Sequence, residues 1–316
     1  MSEIDDLFNK SKEFRDNKDY NSAIDILNKI IDLEPANQKA YVELGHAQGN
    51  LKQYDDALNS FERALAILEN SDALTGQGLV YYYMDNLEDA ITSFTKALDY
   101  NHEDTQAAYY LSRCYYKKQD YKQALVFLNQ VVSIDPDSLD AWNDMGVINS
   151  ILKDEENALK AFLEVLRIDN EYVPALYNMA TTLADLKRYD EALECLDRLV
   201  IMDNNNYKSH FYRANVLFFM EKPQESLDSF KLALRLDDTQ AEVWNYQGCV
   251  QASMGDTDKA IVSLRRAIEL DNNYSAPYLN LGLVYKSLNK EREAKRCFNK
   301  VLKLSPEMKE TLKPLM

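Results

Sequence analysis

A small residue recurs along this chain at a step that barely varies: Ala23, Ala57, Ala90, Ala124, Ala158, Ala192, Ser226, Ala260 and Ala294. Every interval is 34 residues except that from Ala57 to Ala90, which is 33. A fixed period of this length constrains the fold more than any other property of the sequence. Each unit is too short to close a core alone and must bury its apolar surface on its neighbours. Counted from Ile4, nine units cover 4–37, 38–70, 71–104, 105–138, 139–172, 173–206, 207–240, 241–274 and 275–308, with a tail at 309–316. No linker interrupts the pattern, so the 316 residues are expected to form one elongated domain.

Within each unit, apolar or small residues fall at positions 4, 7, 8 and 11, then at 20, 24 and 27. These are i+3 and i+4 spacings, so each unit reads as two amphipathic helices joined by a short turn. Trp244, Gly248, Ala260, Leu264 and Ala267 recur one period later as Tyr278, Gly282, Ala294, Phe298 and Val301. Large residues at position 4 set against small ones at 8 and 20 let the paired helices approach closely. Glycine in a helix costs ~1 kcal/mol relative to alanine, so Gly45, Gly78, Gly146, Gly248 and Gly282 at position 8 imply compensating packing. Pro35, Pro136 and Pro306 stand just past a second helix, Pro174 and Pro277 open a first helix, and Pro223 and Gly255 are expected in the turn between paired helices. The 33-residue unit loses its residue between Leu68 and Ser71.

These residues give the chain its resemblance to the tetratricopeptide-repeat family. The family pattern W-x2-L-G-x2-Y, A-x3-F, P is matched in repeat 9 by Tyr278, Leu281, Gly282, Tyr285, Ala294, Phe298 and Pro306. Repeat 3 has Leu74, Gly78, Tyr81, Ala90 and Phe94. The resemblance implies an all-α, right-handed superhelical solenoid of nine helix-turn-helix repeats whose first helices line the concave side. Repeat 1 departs most, with Lys10 and Ser11 at positions 7 and 8, as expected of a capping unit that meets solvent on one side.

The totals bound the function. No stretch approaches the roughly 18 apolar residues of a membrane span. The acidic opening MSEIDDLFNK does not read as a secretory signal, so a cytoplasmic protein is expected. Cys114, Cys195, Cys249 and Cys297 lie in separate repeats with no C-x-x-C pair, and His46, His102 and His210 are equally scattered. Metal, cofactor and catalytic constellations are therefore not expected. Adjacent carboxylates such as Asp55 with Asp56 point to different faces of a helix and read as solvated charge. The net charge is −16, yet residues 275–308 carry +4 and the tail +1, leaving −21 on residues 1–274. A body this acidic disfavours nucleic acid as a partner.

Positions 5, 9 and 12 form a second stripe on each first helix, beside the packing stripe. The stripe nominates Tyr82, Tyr109, Arg113, Tyr116, Asn143, Tyr177, Thr181, Phe211, Asn215 and Asn245 as a groove for a protein or peptide partner. Rings cover apolar side chains, while asparagine can both donate to and accept from a peptide backbone. The other reading is that the tyrosines half-pack between neighbouring first helices and bind nothing. Two groove types of the family are poorly matched. The co-chaperone clamp for a C-terminal carboxylate would have lysine at position 5 with asparagine at 9, and no repeat here has both. The asparagine ladder of the O-linked N-acetylglucosamine transferase type is broken, with Asn9, Asn178 and Asn280 at position 6 but Glu43, Gly76, Tyr110, Asp144, Tyr212 and Tyr246 elsewhere.

The tail KETLKPLM is short and carries Pro314, so Leu304, Leu312, Leu315 and Met316 stand to be poorly covered. Three readings follow: the basic last repeat docks on the acidic body of another copy to give a homo-oligomer, as a dimer or a head-to-tail chain, the tail folds back over repeat 9, or the sequence is a piece of a longer protein.

Overall fold

The computed structural model describes residues 3–315. They form nine successive two-helix repeats: α1 (Glu3–Asp16) and α2 (Tyr20–Leu33), α3 (Gln38–Asn50) and α4 (Tyr54–Ile67), α5 (Ser71–Tyr83) and α6 (Leu87–Tyr100), α7 (Thr105–Lys117) and α8 (Tyr121–Ile134), α9 (Leu139–Ile151) and α10 (Glu155–Ile168), α11 (Val173–Asp185) and α12 (Tyr189–Met202), α13 (Tyr207–Phe219) and α14 (Pro223–Leu236), α15 (Ala241–Ser253) and α16 (Thr257–Leu270), and α17 (Ser275–Ser287) and α18 (Glu291–Leu304). From the second repeat on, each first helix begins at repeat position 1. The residue missing from the short repeat lies in the α4–α5 connection, where three residues replace the usual four. Pro223 is the first residue of α14, not a turn residue, consistent with the tolerance of proline where the N–H has no helical partner.

The turns inside the hairpins are built alike. Position 15 has positive φ in every repeat, from 57° to 62° at Lys18, Lys52, Asp85, Gln119, Lys153, Lys187, Glu221 and Asn289, and 83° at Gly255. In repeat 2, Lys52 N–H donates to Gly49 O and Gln53 N–H to Gln48 O, both at 2.9 Å. That pair of bonds is the Schellman cap, which ends a helix by satisfying its last carbonyls. The second-helix side is capped by sequence: Asp19, Asn86 and Asp120 accept from the backbone N–H three residues on.

The backbone contacts divide the chain into two compact units between Asp154 and Glu155, in the turn of the fifth repeat. In the first, α3 touches α5 and α5 touches α7; in the second, α13 touches α15 and α15 touches α17. Within each unit a second helix packs between its own first helix and the next one, as α4 does between α3 and α5 and α14 between α13 and α15. Successive second helices stand farther apart, so within each unit the first helices share a face.

The core explains the family pattern. Position 20 is fully buried in every repeat or nearly so, and position 24 carries Phe61, Phe94, Phe162, Phe230 and Phe298 among the largest enclosed side chains. A Cβ on Gly45, Gly78 or Gly282 would come within 2.8, 2.7 and 2.5 Å of the ring at position 24 of the same hairpin. The missing side chain at position 8 is thus the space the ring occupies. Where position 4 carries a polar group it can staple its repeat to the preceding loop: the indole N–H of Trp142 donates to Pro136 O at 2.9 Å and that of Trp244 to Asp238 O at 2.8 Å.

At the start, Ser11 is fully buried, with no partner for its hydroxyl, so the capping repeat does not turn position 8 to water. At the end, the tail folds back as a 3-10 turn (Pro306–Met308), one helical turn (Lys309–Leu312) and a second 3-10 turn (Lys313–Leu315). Leu312 is fully buried on the cluster that holds Phe298 and Val301, with Met308 and Leu315 beside it. Lys286 Nζ donates to Leu315 O at 2.9 Å. The tail thus folds back over repeat 9, and the end expected to be bare is covered at Leu312, which is buried, and in part at Leu304 and Leu315, which are half-buried. Met316 lies outside the described residues.

Candidate functional site

The stripe nominated from sequence splits once its surroundings are known. Position 5 sits in the seam between consecutive first helices. In the first unit, the Tyr109 hydroxyl donates to Asp144 Oδ2 at 3.0 Å, on the next first helix. Arg113 Nη1 donates to the same hydroxyl at 3.4 Å, with its guanidinium 5.8 Å from the ring centroid. Burial, then the Asp144 charge, raises the Tyr109 phenol; burial also raises the Asp144 carboxyl, against the Tyr109 bond and the Arg113 charge. In the second unit, the hydroxyls of Tyr177 and Ser209 lie 2.5 Å apart. Asn245 accepts from Asn280 Nδ2 at 2.9 Å and donates to Tyr274 at 3.4 Å.

Burial follows from these bonds. Tyr82, Phe211 and Asn245 are buried, at 7%, 6% and 3% exposure, and present almost no surface to a guest. Phe211 packs its ring on Tyr212, Phe230 and Tyr246. Tyr109, Asn143, Tyr177 and Asn215 are half-buried. Arg113, Tyr116 and Thr181 are exposed. The Thr181 hydroxyl is turned inward, donating to Asn178 O at 2.9 Å. Those three are packed among their neighbours, and the stripe reaches solvent chiefly at positions 9 and 12.

Two hollows in the first unit use those positions. One, of about 210 Å³, is walled by Ser112, Leu128, Val147 and Ile148 and edged by Arg113, Tyr116 and Asp144. The other, of about 420 Å³, runs across α3, α5 and α7. Its polar residues are His46, Asn50, Asp72 and Gln106, with His46 Nε2 3.2 Å from Asp72 Oδ1. That bond holds the Asp72 carboxyl below its usual range. The rings of Tyr54, Tyr83 and Tyr110 complete the wall. Tyr110 joins Tyr82 and Tyr83 in an edge-to-face cluster with centroids 5.3 and 6.3 Å away, and its hydroxyl lies 3.1 Å from that of Tyr83. Burial and that bond push the Tyr110 phenol up to about 12.

This larger hollow was missed in the stripe reading, although a signal existed. Four of the chain's eight glycines, Gly45, Gly49, Gly76 and Gly78, fall in α3 and α5. Gly45 and Gly76 face Phe61, and a Cβ on Gly76 would come within 2.4 Å of the ring. Gly49 differs: a Cβ there would meet only Val80 Cγ2, at 3.8 Å. In the second unit a hollow of about 330 Å³ lies beside Cys249, Ala252, Asn280 and Leu283. Burial pushes the Cys249 thiol up to about 11, as it does Cys114.

Part of the acidic charge is structural. Asp135, Asp169, Asp203, Asp237 and Asp271, all at position 31, accept from the backbone N–H two residues on at 2.9 to 3.2 Å. These Asx turns shape the connection into the next repeat. No group of three or more His, Cys, Asp or Glu among the described residues is arranged to hold a metal ion, and no described helix is long and apolar enough to cross a membrane.

Comparison with known proteins bears on this geometry. Anaphase-promoting complex subunit 3 of Schizosaccharomyces pombe is 25% identical over 143 residues, 45% of this chain and 22% of that protein. The chain spans about a fifth of the length of the curated relatives it matches. Among solved structures, YrrB, a TPR protein with an unusual peptide-binding site, is 23% identical at a TM-score of 0.50 over 58% of this chain and 95% of its own. PilF of Pseudomonas aeruginosa is 20% identical at a TM-score of 0.54 over 64% and 92%. Both show likeness of fold. Tetratricopeptide-repeat profiles match residues 14–77, 82–145 and 152–212, a TPR profile matches 248–289, and a further tetratricopeptide-repeat profile matches 276–308. With profiles over most of its length and a glycine at position 8 seating a ring at position 24, this chain belongs to the tetratricopeptide-repeat family.

Proposed function

We propose that the protein is a non-catalytic, cytoplasmic scaffold that holds a peptide or short helical segment of a partner protein against its first helices. The observation that carries this reading is the 210 Å³ hollow with an apolar floor and two exposed edges, Arg113 and Tyr116, the latter 40% exposed. Apolar pockets rimmed by a few aimed polar groups are where guests bind, and tyrosine and arginine dominate such contacts. In the first unit the half-buried Tyr109 and Asn143 act as the hollow's flanks; in the second unit Tyr177 and Asn215 offer half-buried surface of the same kind. Tyr82, Phe211 and Asn245 support them from below.

A displayed peptide library selected on the immobilised protein tests the reading. Selected peptides are expected to weaken by about tenfold or more on Arg113→Ala with Tyr116→Ala, about 1.4 kcal/mol, with the helical circular-dichroism signal unchanged. A library that enriches nothing, or peptides indifferent to the double variant, refutes it.

A second reading, self-assembly, is favoured by one feature. Arg292, Lys295, Arg296 and Lys303 of α18 are exposed, and residues 1–154 hold 27 Asp and Glu against 14 Lys and Arg. Light scattering at low and high salt decides it, a monomer at every concentration ruling it out. We further propose that the nine repeats act as a single domain, which fails if limited proteolysis near Asp154 releases two independently folded halves.

A further inference from the structure

The larger hollow of the first unit has three properties that together select a guest. The first is electrostatic. Residues 1–154 carry a net charge of −13, and among the described residues lining the hollow there is a carboxylate, Asp72, but no lysine or arginine. The Asp72 side chain is 71% exposed, with His46 on its Oδ1. Of the cations around it, Arg15 lies 3.1 Å from Glu43 and its charge also reaches Asp72, Lys117 lies 2.8 Å from Asp85 and 4.4 Å above the Tyr82 ring, and Arg113, whose charge reaches Tyr110, donates to the Tyr109 hydroxyl.

The second property is the wall. Tyr54, Tyr83 and Tyr110 line it, and Tyr83 is 57% exposed. Aromatic faces attract cations, and a planar guanidinium both stacks on a ring and forks onto a carboxylate. The third is the floor. Gly45 and Gly76 are explained by the Phe61 ring, but Gly49 has only Val80 Cγ2 within reach of a Cβ, at 3.8 Å. Nothing in the packing asks for glycine at 49, on a helix that alanine would strengthen. What the glycine does keep is open depth in the hollow.

We infer that this hollow takes the arginine side chain of an extended partner peptide, with Asp72 as counter-charge, Tyr83 and Tyr110 as ring walls, and Gly49 as the floor that admits it. The inference rests on the peptide-binding reading and names the guest for a different hollow from the one that reading is tested on.

The test uses three fluorescein-labelled nonapeptides on a serine and alanine background, carrying at three alternate positions arginine, its neutral isostere citrulline, or glutamate. Fluorescence anisotropy against the full chain is expected to show saturable binding of the arginine peptide, at least about tenfold weaker binding of citrulline, and none of glutamate. Gly49→Leu should fill the floor and weaken the arginine peptide by about tenfold or more without lowering the melting temperature, and Asp72→Asn at the surface should do the same. Equal affinity for arginine and citrulline overturns the inference. So does arginine binding that Gly49→Leu leaves unchanged, which would be diffuse attraction to the acidic unit, and so does no binding of the arginine peptide. If library peptides still bind and depend on Arg113 and Tyr116, only the arginine assignment has failed; if neither set binds, both have.

Discussion

Replacing Gly76 with alanine should destabilise the protein even though alanine is the better helix former, and Gly49→Ala should do the reverse. Both glycines are helical, and in each case alanine brings a propensity gain of up to ~1 kcal/mol, smaller at Gly49, one residue from the end of α3. They differ in what the new methyl would touch. At 76 it would lie 2.4 Å from both Cε1 and Cζ of Phe61, and 3.0 Å from His46 Cε1. Ordinary van der Waals contact would require the ring to retreat by about 1 Å or more. Phe61 is 1% exposed, and Gly45 blocks the retreat, since a Cβ there would already be 2.8 Å from the ring. Overpacking of this kind costs about 1–3 kcal/mol. The propensity gains largely cancel between the two variants, so Gly76→Ala should lie about 1–3 kcal/mol below Gly49→Ala. Urea titration followed by circular dichroism, with hydrogen exchange across α3 to α5 in case the array does not unfold in one step, measures the difference. Phe61→Leu supplies the control: it shortens the clashing ring, and in the double variant should recover most of the clash as a coupling of about 1–2 kcal/mol. Equal stability of the two glycine variants, or strict additivity of Gly76→Ala with Phe61→Leu, would refute the account of why position 8 and its neighbours are small.

Two further outcomes follow from the turns and the thiols. Lys187 is exposed at φ 60°, so Lys187→Gly should raise stability by about 0.5–1 kcal/mol by removing the left-handed penalty, whereas Gly255→Ala, at φ 83°, should lower it; thermal melts of both check the pair. Burial moves the Cys249 thiol from 9.0 to about 11, so below pH 9 its thiolate fraction, and its iodoacetamide alkylation rate, should be about 100-fold below that of the urea-unfolded chain. The linked stability is fully present below the unfolded value of 9.0 and declines as pH rises toward the folded value of about 11. Alkylation at the unfolded rate would contradict the burial assigned to this thiol.

What was legible in the sequence, and what was not, divides along the source of each constraint. Helix number, order and register were readable because they depend on contacts repeated nine times: Ala or Ser at 20, a ring or leucine at 24, a small residue at 8. A constraint satisfied that often leaves a period that survives substitution at any one unit. The left-handed turn at position 15 recurs equally often and yet was not readable, since its residue is glycine only at 255 and lysine in four repeats. The Schellman bonds and the rigid hairpin around it hold the backbone there whatever the side chain. Periodicity of sequence reports side-chain needs, and a backbone need met by main-chain hydrogen bonds leaves little trace.

The face that meets a partner is the reverse case. Position 5 was nominated because intrahairpin packing does not dictate it, and that much is true of one repeat. Stacking adds a constraint invisible within the unit: Tyr109 reaches Asp144 on the next first helix, Tyr177 reaches Ser209, and Asn245 reaches Asn280. Each bond joins residues 32 to 35 apart and uses a different chemical pair, so no column of the repeat reveals it. The same logic runs the other way at Gly49. A glycine explained by neither its own hairpin nor the next is informative because both sources of constraint have been removed. In a stacked-repeat protein, candidate binding positions are therefore those left over after the packing of the unit and of its neighbour have both been subtracted. In the first unit, that leaves Arg113 and Tyr116 at one hollow and Gly49 at the other, where Asp72 and Tyr83 each bond to a neighbouring repeat yet stay exposed beside it.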